Sequence, residues 1–210
     1  LDDDTINIYY ASNISSVHGS ISVDVGGGDF VNDVEFSPDS SLVAVSITNS
    51  GNGGTNGQVI LIKVSDGLQL GNGINPNGED RFYASAFSPD GTHIVVAGNG
   101  DFYVVNVSSR ATVFTETSPP GGINDIDWSP DGNYISMCGA WEGNGASFDM
   151  YEFSSSGLSR IWEKSTTSSC LEADFSGDSR QVANGHSYYQ GDGGSVKLFY
   201  TDTGVQVDFF

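Results

Sequence analysis

Basic residues are scarce in this chain. Seven Lys and Arg stand against 27 Asp and Glu, a formal net charge of −20 over 210 residues. So acidic a surface repels phosphate backbones and anionic lipid, which disfavours nucleic-acid binding and membrane-surface roles. No apolar run approaches the roughly 20 residues of a membrane-spanning helix, so no membrane insertion is expected. No signal peptide survives in the sequence as it stands, and no apolar run at 3.6 spacing is long enough for a helix. Histidine is limited to the scattered His18, His93 and His186. No His-Glu-x-x-His, Gly-x-Ser-x-Gly or phosphate loop occurs, so no catalytic residues, cofactor or metal are expected and the chain reads as a non-enzyme. Gly191-Asp192-Gly193-Gly194 and Asp2-Asp3-Asp4 lack the ligand spacing of a calcium loop. The first residue is Leu1 rather than Met, which reads as a processed product or a piece of something longer.

What is abundant is glycine, 28 residues against six prolines, the composition of many tight turns. One turn is written repeatedly: Phe36-Ser37-Pro38-Asp39-Ser40, Phe87-Ser88-Pro89-Asp90-Gly91, Trp128-Ser129-Pro130-Asp131-Gly132, and a worn copy, Phe175-Ser176-Gly177-Asp178-Ser179. The copies lie 51, 41 and 47 residues apart. In each, an apolar strand ends in an aromatic residue, proline presets φ, and Asp-Gly or Asp-Ser reverses the chain. A second apolar strand follows. A period of this length made only of strands is the signature of propeller blades. Stretches such as Val59-Ile60-Leu61-Ile62 and His93-Ile94-Val95-Val96 are apolar on both faces, as expected of inner and middle strands covered by neighbouring sheets. A two-sheet sandwich, the weaker alternative, would leave polar outer faces on most strands.

Gly194-Ser195-Val196-Lys197-Leu198-Phe199-Tyr200-Thr201-Asp202-Thr203-Gly204 resembles the third strand and following turn of a WD-repeat blade. The Phe-Ser-Pro-Asp-Gly turn resembles that of WD-repeat and TolB-like propellers. The resemblance covers nearly the whole chain and implies an all-β propeller of four-stranded antiparallel blades. It implies little about function, since propellers host scaffolds, receptors and enzymes alike. The chain departs from the WD pattern: no Gly-His dipeptide precedes the inner strands and no Trp-Asp pair occurs. Asp101 and Asp192 lie near the position of the WD aspartate without the other members of its hydrogen-bond network.

The expected layout is a half blade at 1–30 and blades at about 31–72, 82–117, 123–164 and 170–210. About four and a half blades do not close a ring, so the chain is expected to be part of a larger one, seven-bladed by preference. A four- or five-bladed ring, or completion by a neighbouring chain, is the alternative. In a propeller, Cys138 and Cys170 fall on one face in adjacent blades, where a disulfide is sensible; two free buried thiols are the other reading. Asn13-Ile14-Ser15 and Asn106-Val107-Ser108 fit the N-glycosylation pattern, with Asn13 and Asn106 at turns on the opposite face. Long loops on the disulfide face present Trp141, Tyr188 and Tyr189 beside Asp192, candidates for protein or carbohydrate contact. Together these features favour an extracellular or cell-surface, non-catalytic platform or building block, with protein partners or copies of itself and possible N-linked glycans. An intracellular WD-repeat-like scaffold, or part of a propeller hydrolase or lyase with catalytic residues elsewhere, are the alternatives.

Overall fold

In a computed structural model the chain is built of strands throughout. The structure describes residues 5–10, 13–22, 30–48, 57–117, 122–139, 146–166, 168–187 and 194–207. An N-terminal hairpin pairs β1 (Thr5–Tyr10) with β2 (Asn13–Ser22). Four antiparallel sheets follow in chain order, here called blades 1 to 4. Blade 1 holds β3 (Phe30–Phe36), β4 (Leu42–Thr48) and β5 (Gln58–Lys63). Blade 2 holds β6 (Phe82–Phe87), β7 (His93–Gly98), β8 (Phe102–Asn106) and β9 (Thr112–Glu116). Blade 3 holds β10 (Ile123–Trp128), β11 (Tyr134–Gly139), β12 (Ala146–Ser154) and β13 (Gly157–Thr166). Blade 4 holds β14 (Cys170–Phe175), β15 (Gln181–His186) and β16 (Ser195–Tyr200).

The blades fan outward from their first strands: β3 packs on β6, β6 on β10, and β10 on β14. Apolar cores fill the wedges between them. Strands β7 and β8 show why both faces of a middle strand must be apolar. Ile94, Val96, Tyr103 and Val105 join Ala44, Val59 and Leu61 of blade 1. Val95, Ala97, Phe102 and Val104 join Ile126, Ile135, Met137 and Tyr151 of blade 3. Blade 3 in turn packs Phe148 and Met150 against Phe175, Val182 and Phe199 of blade 4. Burying each such large side chain contributes about 1.5–3 kcal/mol.

The repeated turns share one hydrogen-bond design. The serine Oγ donates to the aspartate Oδ1 at 2.7 Å in all four, Ser37–Asp39, Ser88–Asp90, Ser129–Asp131 and Ser176–Asp178. That Oδ1 also accepts the N–H two residues on, from Ser41, Thr92, Asn133 and Arg180. The serine Oγ in turn accepts the N–H that opens the second strand, from Leu42, His93, Tyr134 and Gln181. The residue after the aspartate takes positive φ: Ser40 at 59°, Gly91 at 68°, Gly132 at 80° and Ser179 at 59°. Successive turns touch. The Cβ position of Gly91 lies 4.0 Å from Pro38 and that of Gly132 lies 3.4 Å from Pro89, while the Asp131 N–H donates to Ser179 Oγ at 3.0 Å. The four hairpins therefore line a single rim, as propeller blades require and a sandwich does not.

Two expectations are corrected. Blades 1 and 4 do not have a continuous fourth strand among the described residues. Where one was expected at 67–70 and from 205, only isolated bridges form, Ile62↔Gln69 and Phe199↔Gln206, with a further bridge Val59↔Ile74. Gly67 and Gly204, at φ of 70° and 63°, reverse the chain so that 68–70 and 205–207 return along the sheet edge, bonded through Leu68, Leu70, Val205 and Val207. The first strands are also not apolar on both faces: β10 and β14 bury alternate residues and carry acids between them.

Candidate functional site

The acids on the first strands form the molecule's most organised polar feature. Blade 1 carries Asn32-Asp33-Val34-Glu35 and blade 3 carries Asn124-Asp125-Ile126-Asp127, each just before the aromatic residue of the turn. All four first strands shift register at the same place, between Val31/Asp33, Phe82/Ala84, Ile123/Asp125 and Cys170/Glu172. A bulge of this kind twists the strand and re-aims its side chains. A first strand is also a sheet edge with unpaired backbone groups. The acids of one blade satisfy those of the next. Asp33 Oδ2 accepts from the Ser85 N–H at 3.0 Å and its Oγ at 3.1 Å, and Glu35 Oε2 accepts from the Phe87 N–H at 3.1 Å. In blade 3, Asp125 Oδ2 accepts from the Ala173 N–H at 2.7 Å, while Asp127 Oδ1 accepts from the Trp128 N–H at 2.7 Å. The asparagines complete the set: Asn32 Nδ2 donates to the Phe82 carbonyl and Asn124 Nδ2 to the Cys170 carbonyl, both at 2.7 Å. Blade 2, with Ala84 and Ala86 at the acid positions, has no such comb.

Burial dominates the protonation of these acids. It pushes Asp33 up, against the pull of the Ser85 bonds. Glu35 rises to about 8 through burial and the charges of Asp33 and Asp127. Burial takes Asp125 to about 6 and Asp127 to about 7, the latter helped by Asp125 and Asp174. The acids of blades 1 and 3 thus feel each other across the small side chains of β6.

At the opposite end of the same strands, a cavity of about 440 Å³ opens on the rim between blades 2 and 3. Its floor is Phe114, Trp128 and Phe153, with His93 beside them and Asp90 and Asp131 at the edge. The Phe153 ring meets Trp128 edge-on at 4.8 Å, His93 at 5.7 Å and Phe114 at 5.8 Å. Trp128 Nε1 is held by the Gly132 carbonyl at 3.1 Å.

Of the residues singled out from the sequence, Cys138 and Cys170 are joined, with Cα atoms 4.9 Å apart and both side chains buried. The bond staples β11 of blade 3 to β14 of blade 4. Asn106 closes β8 at the turn into β9; its Oδ1 accepts from Ser108 Oγ and from the Ser109 N–H and Oγ at 2.8–3.0 Å. Asn13 begins β2 directly opposite Tyr10, within the strand pair and not in the turn where it was expected. Trp141, Tyr188, Tyr189 and Asp192 lie outside the described residues. Among the described residues no group of three or more His, Cys, Asp or Glu is arranged to hold a metal. The inner-strand comb and the rim cavity were both missed by reading the sequence alone. The signal for the comb was present, the pattern Asn-Asp-x-acid ahead of Phe/Trp-Ser-Pro-Asp, written twice.

A model of the WD domain, G-beta repeat, matches residues 110–144, which run from the end of blade 2 through the first two strands of blade 3. No curated protein matches in sequence. Among solved structures the chain is similar to Kuenenia stuttgartiensis hydrazine synthase, with a TM-score of 0.70 at 16% identity over 85% of this chain. That likeness shows the fold alone. The chain spans about half of that structure's chain, 48%. The fold is a β-propeller, with a WD-repeat-like segment at residues 110–144.

Proposed function

We infer that the chain is a non-catalytic section of a propeller that works outside the cell or on its surface, holding protein partners on a rigid frame. The observation that carries this reading is the buried Cys138–Cys170 bond between two blades, a cross-link that persists in oxidising compartments. Closing a loop of 32 residues contributes about 3–4 kcal/mol in the chain-entropy model. The acceptor asparagine Asn106 is half-buried at the end of β8, beside the exposed Ser108 and Ser109, and Asn13 begins β2. The aromatic-floored rim cavity, edged by Asp90 and Asp131, has the apolar centre and polar border of a protein contact. The absence of catalytic motifs makes geometry, not chemistry, the contribution of this section.

Peptide mass mapping of natural material under non-reducing conditions tests the reading. It should return a Cys138–Cys170 cross-linked peptide and a glycan mass on the Asn13 or Asn106 peptide. Free thiols with both asparagines unmodified would instead place the protein inside the cell as a WD-repeat-like scaffold.

A further inference from the structure

Along the rim a niche opens between each pair of successive turns, and the niches differ in what they hold. Between blades 1 and 2, Asp39 and Asp90 border Pro38, Leu42 and Val107, with no aromatic ring. Between blades 3 and 4, Asp131, Asp178 and Asp202 border Tyr134 and Tyr200, and the chain supplies its own cation, Arg180. Arg180 Nε lies 3.9 Å from Asp178 Oδ2. The cavity between blades 2 and 3 has both acids and rings, but no Lys or Arg in its lining. At the turn position of Arg180, blade 3 carries the neutral Asn133. Both flanking blades are complete four-stranded sheets, so the cavity is walled on each side. Its acids are set for a ligand. Asp90 and Asp131 are exposed, and each is fixed by a serine hydroxyl and the N–H two residues on. Asp90 takes all three of its bonds on Oδ1, which leaves Oδ2 without a partner among the described residues. Those bonds, led by the Ser88 hydroxyl, hold Asp90 below the usual carboxylate range.

We propose that this cavity takes an arginine side chain from a basic segment of a protein partner. The stem lies on Phe114, Trp128 and Phe153, and the guanidinium meets Asp90 Oδ2 and Asp131. Arginine fits both halves of the site, because its planar head stacks on aromatic rings and forks onto carboxylates. At about 440 Å³ the cavity falls within the roughly 300–1,000 Å³ of ligand sites, room for one long side chain and part of its backbone. A net charge of −20 on the chain steers a basic partner toward it. The inference rests on the reading of this cavity as a protein contact.

Titration of the full chain, disulfide intact, with the peptide acetyl-Gly-Arg-Gly-amide tests it, read from the NMR resonance of the Trp128 indole N–H. The expected result is a saturable shift that weakens as sodium chloride is raised. The citrulline counterpart, alike in shape but uncharged, should bind at least about tenfold more weakly. Asp90→Asn should weaken the arginine peptide by a similar factor. That change also touches the hairpin, so Val113→Arg serves as the second variant. Val113 is 42% exposed on the edge strand β9, and a guanidinium there should fill the cavity and abolish the shift while circular dichroism and melting hold. No saturable shift, or binding that both variants leave unchanged, would overturn the proposal. Citrulline or leucine peptides that bind as tightly as the arginine one would mark a pocket for apolar side chains and overturn it too. None of these outcomes bears on the glycan and cross-link masses that test the proposed function.

Discussion

Two populations of acid lie at the two ends of the same turns and are held in opposite ways. Asp39, Asp90, Asp131 and Asp178 sit on the exposed rim, each accepting a serine hydroxyl and a backbone N–H. Those bonds favour the carboxylate. Asp39 is drawn down to about 2, led by the Ser37 hydroxyl, and Asp90 and Asp178 are lowered by the same pair of bonds. Asp131 is lowered too, its hydrogen bonds outweighing a burial that pulls the other way. A few residues earlier on the first strands, Glu35, Asp125 and Asp127 also accept backbone N–H groups, yet burial and mutual repulsion push all three upward. Hydrogen bonds of one type therefore leave a stable carboxylate where water helps and a protonation-prone one where it does not. The rim acids build each hairpin; the inner acids join one blade to the next.

The largest effect that separates the two is the sign of an Asp→Asn change. At Asp90 it weakens a carboxylate that accepts three bonds, from Ser88 Oγ and from the Thr92 N–H and hydroxyl. The expected cost is about 1–2 kcal/mol at pH 7, read by urea unfolding. Asp127→Asn should instead leave stability unchanged below pH 4 and raise it on the order of 1 kcal/mol at pH 9, since it removes a buried charge and keeps an acceptor. A loss at both positions, at both pH values, would erase the distinction.

Next in size is the pH profile of the unaltered protein. For the inner acids the folded value lies above the unfolded one, so their contribution is fully present below about pH 4 and is lost as pH rises through about 6, 7 and 8. For the rim acids the folded value lies below, so theirs is present above about pH 4 and is lost as pH falls toward about 2. Stability should peak where these windows meet, near pH 4. From there to pH 9 the melting temperature should fall on the order of 3–6 °C, allowing for screening by solvent. Glu35→Gln should flatten the alkaline limb and leave the acid limb alone. A profile that is flat to pH 9 would show that water reaches the inner acids freely.

The rim was legible in the sequence because everything it needs is local. Proline, aspartate and the residue after it specify the turn within five positions, and the four copies announced the blades. The inner comb was not, because its partners are backbone N–H groups some 50 residues away. Asp33 and Glu35 alternate with Val34 on a strand, which reads as a solvated face until the Ser85 and Phe87 edge is known to lie against it. The same limit explains the outer strands of blades 1 and 4. There the chain turns back at Gly67 and Gly204, yet pairs with the edge only at Gln69 and Gln206, which no local pattern in the sequence announces. The rim cavity escaped for a related reason: Trp128, Phe114 and Phe153 come from three strands of two blades and converge only on folding.

The smallest expected effect lies within the rim itself, where two turns use serine at positive φ and two use glycine. An L-residue in that region carries roughly 1–2 kcal/mol of strain, partly offset by the entropy glycine loses on folding. Ser40 offers nothing in return: its own N–H bonds the Ser37 carbonyl, which glycine would keep. Ser40→Gly should therefore stabilise the protein by up to about 1 kcal/mol. Ser179 differs, because its Oγ accepts the Asp131 N–H and so ties the turns of blades 3 and 4 together. Ser179→Gly should gain less than Ser40→Gly, or lose stability, and a double-mutant cycle with Asp131→Ala should leave its backbone donor's share unchanged. Equal gains at both sites would mean that the link between neighbouring hairpins contributes nothing, and that the rim is a row of independent turns.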